Sequence, residues 1–384
     1  MLRRLHARHE IHYLALHSGE PEALEHSPEY CSRAWPVPHV LTTRTSPRFW
    51  LDTALSLFSK LPVVIARKRS RAAATLIEKL LREERFDIVV SDFLMPAVNL
   101  PPAQPFVLFE HNVETVIMRR HAERAGDPVQ RAFFRGQTQR MLAFECATCR
   151  RALHVVAVSD DDAAQLRELC GVTNVSAIPT GVDAEYFARP ASFSSVTGHP
   201  SAEPANIESD LQFAGSMDWM PNIDGILWFV SEVLPLIRKR VPQCSVTIAG
   251  RKPGASIRAL AAADPLIRVT GTVHDMRPYL WSAKVSIVPI RIGSGTRLKI
   301  YEAMAASLPV VSTTIGAEGL EVSPPENIRI ADTPEAFASA CVQLLEDPGE
   351  SSRQADAALR LVREKFSWEV VAQCFEQILK SSLK

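Results

Sequence analysis

At 384 residues the chain exceeds one typical domain, and 46% apolar against 22% charged residues is an ordinary globular balance with material for two cores. The formal net charge is zero, which excludes recruitment of nucleic acid by a global positive field.

The chain opens on LRRLHARHE, the last turns of a helix, followed by the strand-like IHYLALHS. This basic start carries neither a long apolar stretch nor a small-residue cleavage site, and no apolar run approaches the ~18 residues of a membrane span. A cytoplasmic protein is expected. Residues 18–48 hold Pro, Ser and Arg without periodicity and read as a long loop. A helix is predicted over 66–84, then strands FDIVVSDF at 86–93, PFVLFEHN at 105–112 and LHVVAVSD at 153–160. Continuous apolar runs ending on polar residues are the pattern of a parallel sheet covered on both faces.

Between the last two strands, 112–151 reads as helical and basic. Arg119, Arg120, Arg124, Arg131, Arg135, Arg140, Arg150 and Arg151 stand against Glu114, Glu123, Asp127 and Glu145. A solvated helix face and a surface for anionic lipid both fit this excess. Cys146 and Cys149 form a lone C-x-x-C in the same region and read as buried thiols. Seven scattered cysteines, an odd number, argue for a reducing compartment and against a disulfide framework.

NVSAIPTGVD at 174–183 is a strand and a Pro/Gly turn. The Ser- and Pro-rich stretch 191–209 is the clearest linker, so domains are placed at 1–190 and 210–366, with a closing helix at 367–384. The alternation then restarts: LQFAGS, a helix over 222–240, CSVTIAG, IRVTG, VSIVPI, PVVSTT and NIRIA. Two consecutive βαβ domains imply two doubly wound, Rossmann-like sheets, whose ligands sit beyond the carboxyl ends of strands, here in a cleft between the domains.

The richest segment is IRIGSGTRLKIYEAMAASLPVVSTTIGAEGL, 290–320. Gly293 and Gly295 allow a tight turn and a close approach to a bound group. Ser294 lies between them. Thr296 then opens a helix whose free N–H groups favour an anion, and Arg297 and Lys299 add positive charge at the same end. Glu302, within the helix, can accept hydrogen bonds from sugar hydroxyls. A nucleoside diphosphate suits this combination.

The segment resembles the donor-binding region of family 4 glycosyltransferases, the large retaining group with the GT-B fold. That family carries Glu-x7-Glu, with the second Glu opening an E-A-M-A stretch, then Pro-Val-Val and a Gly-rich turn. Glu302-Ala303-Met304-Ala305, Pro309-Val310-Val311 and Gly316-Ala317-Glu318-Gly319-Leu320 match. The first Glu is replaced by Ser294, as in a bacterial polysaccharide subgroup with G-x-G-T-R-L-K.

The resemblance implies further roles. Glu302 holds the ribose, and His111, at the end of PFVLFE, contacts the donor sugar; from the residues alone His111 equally suits a helix cap. Asp92 reads as a helix cap. Gly215 and Ser216 end the first strand of the second domain, where most members place Arg and Lys for the diphosphate. This chain has neither, so Arg297 and Lys299 are expected to supply the charge. Asn222 or Asp224 could cap the next helix, and Arg251 in Gly250-Arg251-Lys252 could reach the base or phosphates. Thr180-Gly181-Val182-Asp183 resembles the family's hinge. The family needs no metal or other cofactor here. The expected partners are a nucleotide sugar and a glycan or lipid-linked acceptor, with a peripheral contact on the inner face of a membrane. In that family a first strand and a loop precede the opening helix, so either the first strand is expected to be missing here or the sheet begins differently. A nucleotide-sugar epimerase of the same fold and a nucleotide-binding protein without turnover stay open as alternatives.

Overall fold

A computed structural model of the chain describes all residues except 20–23, 42–45, 47–58, 191–192, 194–206, 293–297 and 384, and omits the side chain of Arg124. The chain divides into two compact units, Met1–Thr180 with Val371–Lys384, and Gly181–Val370. The division precedes the linker expected at 191–209, most of which lies outside the described residues. Residues 181–190 pack with the second unit because Val182 exchanges backbone hydrogen bonds with Phe366 (2.7 Å) and Trp368 (3.2 Å), and Trp281 Nε1 donates to Phe187 O at 2.7 Å.

In the first unit, β1 (His12–His17) pairs with β2 (Arg33–Pro38), and β3 (Val90–Asp92), β4 (Val107–Glu110), β5 (His154–Ala157) and β6 (Val175–Ala177) form a four-stranded sheet in that order. All pairings are parallel. β2 falls where a long loop was expected. Its two prolines hid it, and the register explains why they are tolerated. Arg33 N and His39 N donate to β1, so the alternate positions Pro36 and Pro38 face away from it and remove no ladder bond. Phe106, Leu108, Met141, Val155 and Leu166 form the fully buried core. The helix expected at 66–84 is split into Val63–Ala66 and Arg71–Glu83, the second capped by the Ser70 hydroxyl.

Cys146 and Cys170 form a disulfide, contrary to the expectation of free thiols. Packing of the helices Pro128–Arg151 and Asp160–Cys170 brings their Cα atoms to 4.7 Å, a proximity no spacing rule reveals. The cysteine pattern therefore no longer argues for a reducing compartment.

The second unit is one parallel sheet of six strands, ordered β12-β11-β10-β7-β8-β9. These are β7 (Ser209–Ala214), β8 (Val246–Ala249), β9 (Ile267–Gly271), β10 (Ala283–Val288), β11 (Val310–Ser312) and β12 (Arg329–Ile330). The chain steps outward from β7 to β9, then returns to β10 on the other side of β7. The strand order thus reverses between β7 and β10, the place where open α/β sheets leave a crevice beyond their carboxyl ends.

The helical run after β7 begins at Met220 and passes through a π turn at Phe229–Val233 just before Pro235, which lacks the N–H a regular turn would use. Contrary to the expectation of no such stretch, among the described residues Met220–Arg238 is by length and composition long and apolar enough to cross a membrane. Ile226, Phe229, Val233 and Ile237 of this run lie in the second unit's core.

The loops after β7 and β8 touch through glycine. A methyl on Gly250 would collide with the Gly215 carbonyl, and both partners are backbone, so neither yields cheaply. Gly250→Ala should therefore destabilise the protein by about 1–3 kcal/mol in denaturant unfolding, the usual penalty of overpacking. Gly136, inside the helix Pro128–Arg151, has open space around it, and Gly136→Ala should instead stabilise by up to about 1 kcal/mol.

Candidate functional site

At the switch point of the second unit, short hydrogen bonds bind the loops after β7 and β8. Gly215 N donates to Ala249 O at 3.0 Å, and Met217 N donates to Arg251 O at 2.9 Å. Arg251 Nε donates to the Ser216 hydroxyl at 2.8 Å, and that hydroxyl donates to Asp218 at 2.5 Å. Lys252 pairs with the other oxygen of Asp218 at 3.2 Å. Hydrogen bonds from Ser216 and Lys252 hold the Asp218 carboxyl below its usual range.

Lys299 enters this cluster from the first turn of the helix Leu298–Ala305. Its Nζ donates to Asn222 Oδ1 at 2.9 Å and lies 4.3 Å from the centre of the Phe213 ring. A Cβ at Gly215 would stand 2.7 Å from that ammonium, so glycine keeps the approach open. Asn222 is buried, and its amide donates to Ser216 O at 2.7 Å. The sequence suggested Asn222 or Asp224 as a helix cap. Instead the N-cap position is Trp219, Asn222 holds Lys299, and Asp224 is forked to Arg291 at 2.8 and 3.1 Å.

Glu302 lies one turn beyond Lys299. Burial raises its carboxyl, and Lys299 partly offsets this. On the far side, Thr313 ties the β11 turn to the β10 loop: its hydroxyl donates to Ile290 O and accepts from Gly316 N. Lys299, Glu302, Gly215, Ser216 and Arg251 are thus carried by neighbouring segments of one sheet end. Gly293, Ser294, Gly295, Thr296 and Arg297 lie outside the described residues. No group of three His, Cys, Asp or Glu side chains among the described residues is placed to hold a metal ion.

His111 belongs to the first unit. It follows β4, and its Nε2 sits 2.7 Å from Asp92 Oδ1 at the end of β3. The expectation that Asp92 caps a helix is corrected: its carboxylate is engaged by this imidazole. In the neutral ring a carboxylate partner selects the tautomer protonated at Nε2, which leaves Nδ1 as an acceptor. Phe93 stacks on the ring at 3.9 Å, and Phe109 packs at 4.5 Å. Phe93 holds this place with φ at +72°, a left-handed conformation costing a non-glycine residue about 1–3 kcal/mol.

Nor does His111 cap the helix Glu114–Arg124. Two of that helix's first N–H groups are bound by Glu145, from the helix Pro128–Arg151: Glu114 N at 2.7 Å and Thr115 N at 3.2 Å. Glu110 and Glu114 flank it, and all three carboxyls are buried. Burial, then repulsion from Glu145, pushes Glu114 up to about 7 from an ordinary 4.5. A carboxyl raised on folding stabilises the native state below its unfolded value, and that contribution disappears as pH rises from about 4.5 to about 7. Glu114→Gln removes this dependence. Its melting temperature relative to wild type should therefore climb between about pH 5 and pH 8.

The architecture can be set beside known proteins. Residues 1–186 match the family model of Glycosyltransferase Family 4, and residues 208–347 match that of Glycosyl transferases group 1. An uncharacterized 44.6 kDa protein in the cps region of Klebsiella pneumoniae is 25% identical over 173 residues, 43% of this chain and 45% of that protein. The match thus spans about half the length of that relative. Among solved structures, sucrose-phosphate synthase from Thermosynechococcus elongatus superposes with a TM-score of 0.66 at 19% identity, covering 99% of this chain and 90% of that one. A glycosyltransferase from Rickettsia africae gives 0.60 at 16% identity, over 97% and 90% of the two chains. Anabaena HepE in complex with UDP gives 0.62 at 14% identity, over 97% and 100%.

Proposed function

The chain belongs to the group 1, family 4 glycosyltransferases of GT-B fold, and from that premise we propose that it transfers a sugar, with retention, from a nucleoside diphosphate to a hydroxyl of a glycan or lipid-linked acceptor. Polysaccharide assembly is the proposed setting, supported by the relative from a cps region. The solved complex of HepE with UDP supports a nucleoside diphosphate donor.

The observation that carries the reading is Lys299, an ammonium anchored on buried Asn222 beside Gly215 at the sheet's switch point. In transfer, the bond from the sugar's anomeric carbon to the phosphate oxygen breaks, and a bond to the acceptor oxygen forms. The acceptor proton passes to the departing phosphate. Negative charge grows on the diphosphate, and a fixed cation there stabilises the transition state more than the ground state. In this proposal Lys299 and Arg297, with backbone N–H groups of Gly295 and Thr296, meet that charge. Glu302 accepts from the ribose hydroxyls, and His111 Nδ1 accepts from the donor sugar. Gly293, Ser294, Ser216 and Arg251 contact the donor, and the charge is met without a metal ion.

Lys299→Met keeps an unbranched apolar side chain and removes the ammonium from over the Phe213 ring. It should weaken UDP binding by about 1.5–3 kcal/mol in calorimetry, the range for a charge-assisted hydrogen bond. Arg297→Ala should do the same. Unchanged affinity in both refutes the phosphate role. Turnover of a nucleotide sugar by the wild-type protein separates the readings: glycoside product supports transfer, an epimerised donor supports the isomerase alternative, and binding without turnover supports the nucleotide-binding alternative.

We further propose that the helices Glu114–Arg124 and Pro128–Arg151 contact anionic lipid on the inner face of the membrane. Arg119, Arg131 and Arg135 are exposed along them, beside Val129, which is 75% exposed. Each Arg near such a surface contributes about 1 kcal/mol. The protein should float with vesicles containing anionic lipid at low salt and not with neutral vesicles. Replacing Arg119 and Arg135 by Glu should abolish flotation, and equal flotation with neutral vesicles contradicts the idea.

A further inference from the structure

We infer that Glu145 is a positioning residue for His111, acting through the backbone turn that joins β4 to the helix Glu114–Arg124. This rests on the reading of His111 as the group that meets the donor sugar.

The turn 111–113 is pinned at both ends. On one side Glu110 sits in the ladder opposite Ala157 of β5. On the other, Glu145 accepts from Glu114 N and Thr115 N at 2.7 and 3.2 Å. The N-cap residue, Val113, has no polar atom with which to cap its own helix, and it is buried. A helix elsewhere in the chain therefore supplies the cap, and ties the turn to the long helix Pro128–Arg151 rather than to a local loop. His111 lies in the three-residue span between these anchors. Asp92 and Phe93 then fix its ring from β3.

The arrangement is costly, which is why a role beyond capping is inferred. An exposed Ser or Asp supplies such a cap with no burial of charge. Glu145 is instead fully buried among like groups: Glu110 from β4, Glu114 from the helix it caps, and Asp162 from the helix Asp160–Cys170, which faces Glu110. Thr115 adds a hydroxyl, and the buried Cys149 lies beside Glu110 and Glu145, with Arg150 near the thiol. Burial, then repulsion from Glu145 and Glu114, pushes the Glu110 carboxyl well above its ordinary range. Carboxyls concentrated against their own repulsion, one residue from a candidate sugar contact, are expected where geometry is valued over stability.

The test follows the imidazole directly. With histidine labelled by 15N and the His111 signal assigned from its loss in His111→Ala, Glu145→Gln and Glu145→Leu are compared with wild type. Glu145→Leu should shift the His111 ring resonances. Glu145→Gln, which keeps one of the two acceptor oxygens, should shift them less than Glu145→Leu and covers the case in which the leucine variant does not fold. In sugar transfer Glu145→Leu should lose at least about tenfold in kcat, since misplacement near 1 Å can cost a hundredfold. UDP affinity, set in the other unit, should change less than twofold, a split that general destabilisation would not produce. An unshifted His111 signal in both folded variants overturns the inference, and so does a wild-type kcat in Glu145→Leu while His111→Ala is inactive. If His111→Ala itself transfers normally, the role given to His111 fails, and the resonance comparison still decides whether Glu145 positions the ring.

Discussion

Asn222 bridges the carbonyl of Ser216 and the ammonium of Lys299 from inside the helix that follows β7, and the ligand chemistry available to the second unit depends on that bridge. A lysine four methylenes long is ordinarily a mobile point charge. Here the Phe213 ring and a buried amide hold it, and a side chain at Gly215 would crowd it. The close passage of Gly250 over the Gly215 carbonyl sets where the β7 loop lies, so backbone packing fixes the cation's location. A preorganised cation needs little rearrangement when charge develops beside it.

The first unit reaches rigidity by a different route. His111 is held by stacking and by Asp92, and one of its neighbours, Phe93, has strained backbone geometry. Beneath it lie carboxyls that burial makes costly to ionise. Such expenditures cluster where a side chain must be aimed, and the second unit's site carries its own in the burial-raised carboxyl of Glu302 and in Lys252 with φ at +53°.

How much of this was legible follows from how local each signal is. Buried parallel strands are continuous apolar runs, so β4, β5, β8 and β10 were readable, whereas β2 was masked by prolines whose tolerance depends on which edge faces β1. Lys299 and Glu302 stood out because glycines and a helix start surround them in sequence. Asn222 was read only as a cap because Lys299, its decisive partner, is 77 residues away. Asp92 and His111 are 19 residues apart, Glu145 and Glu114 are 31 apart, and Cys146 and Cys170 are 24 apart. Pattern reading captures periodicity within an element; these pairs exist only because the sheet brings separate elements together.

The central claim is that the second unit's switch point receives a diphosphate at Lys299. A crystal structure with UDP tests it most directly. A phosphate oxygen is expected within about 2.7–3.2 Å of Lys299 Nζ, with Asn222 still holding the ammonium and a ribose hydroxyl donating to Glu302. UDP bound at another part of the chain, with Lys299 contacting only Asn222, would contradict it.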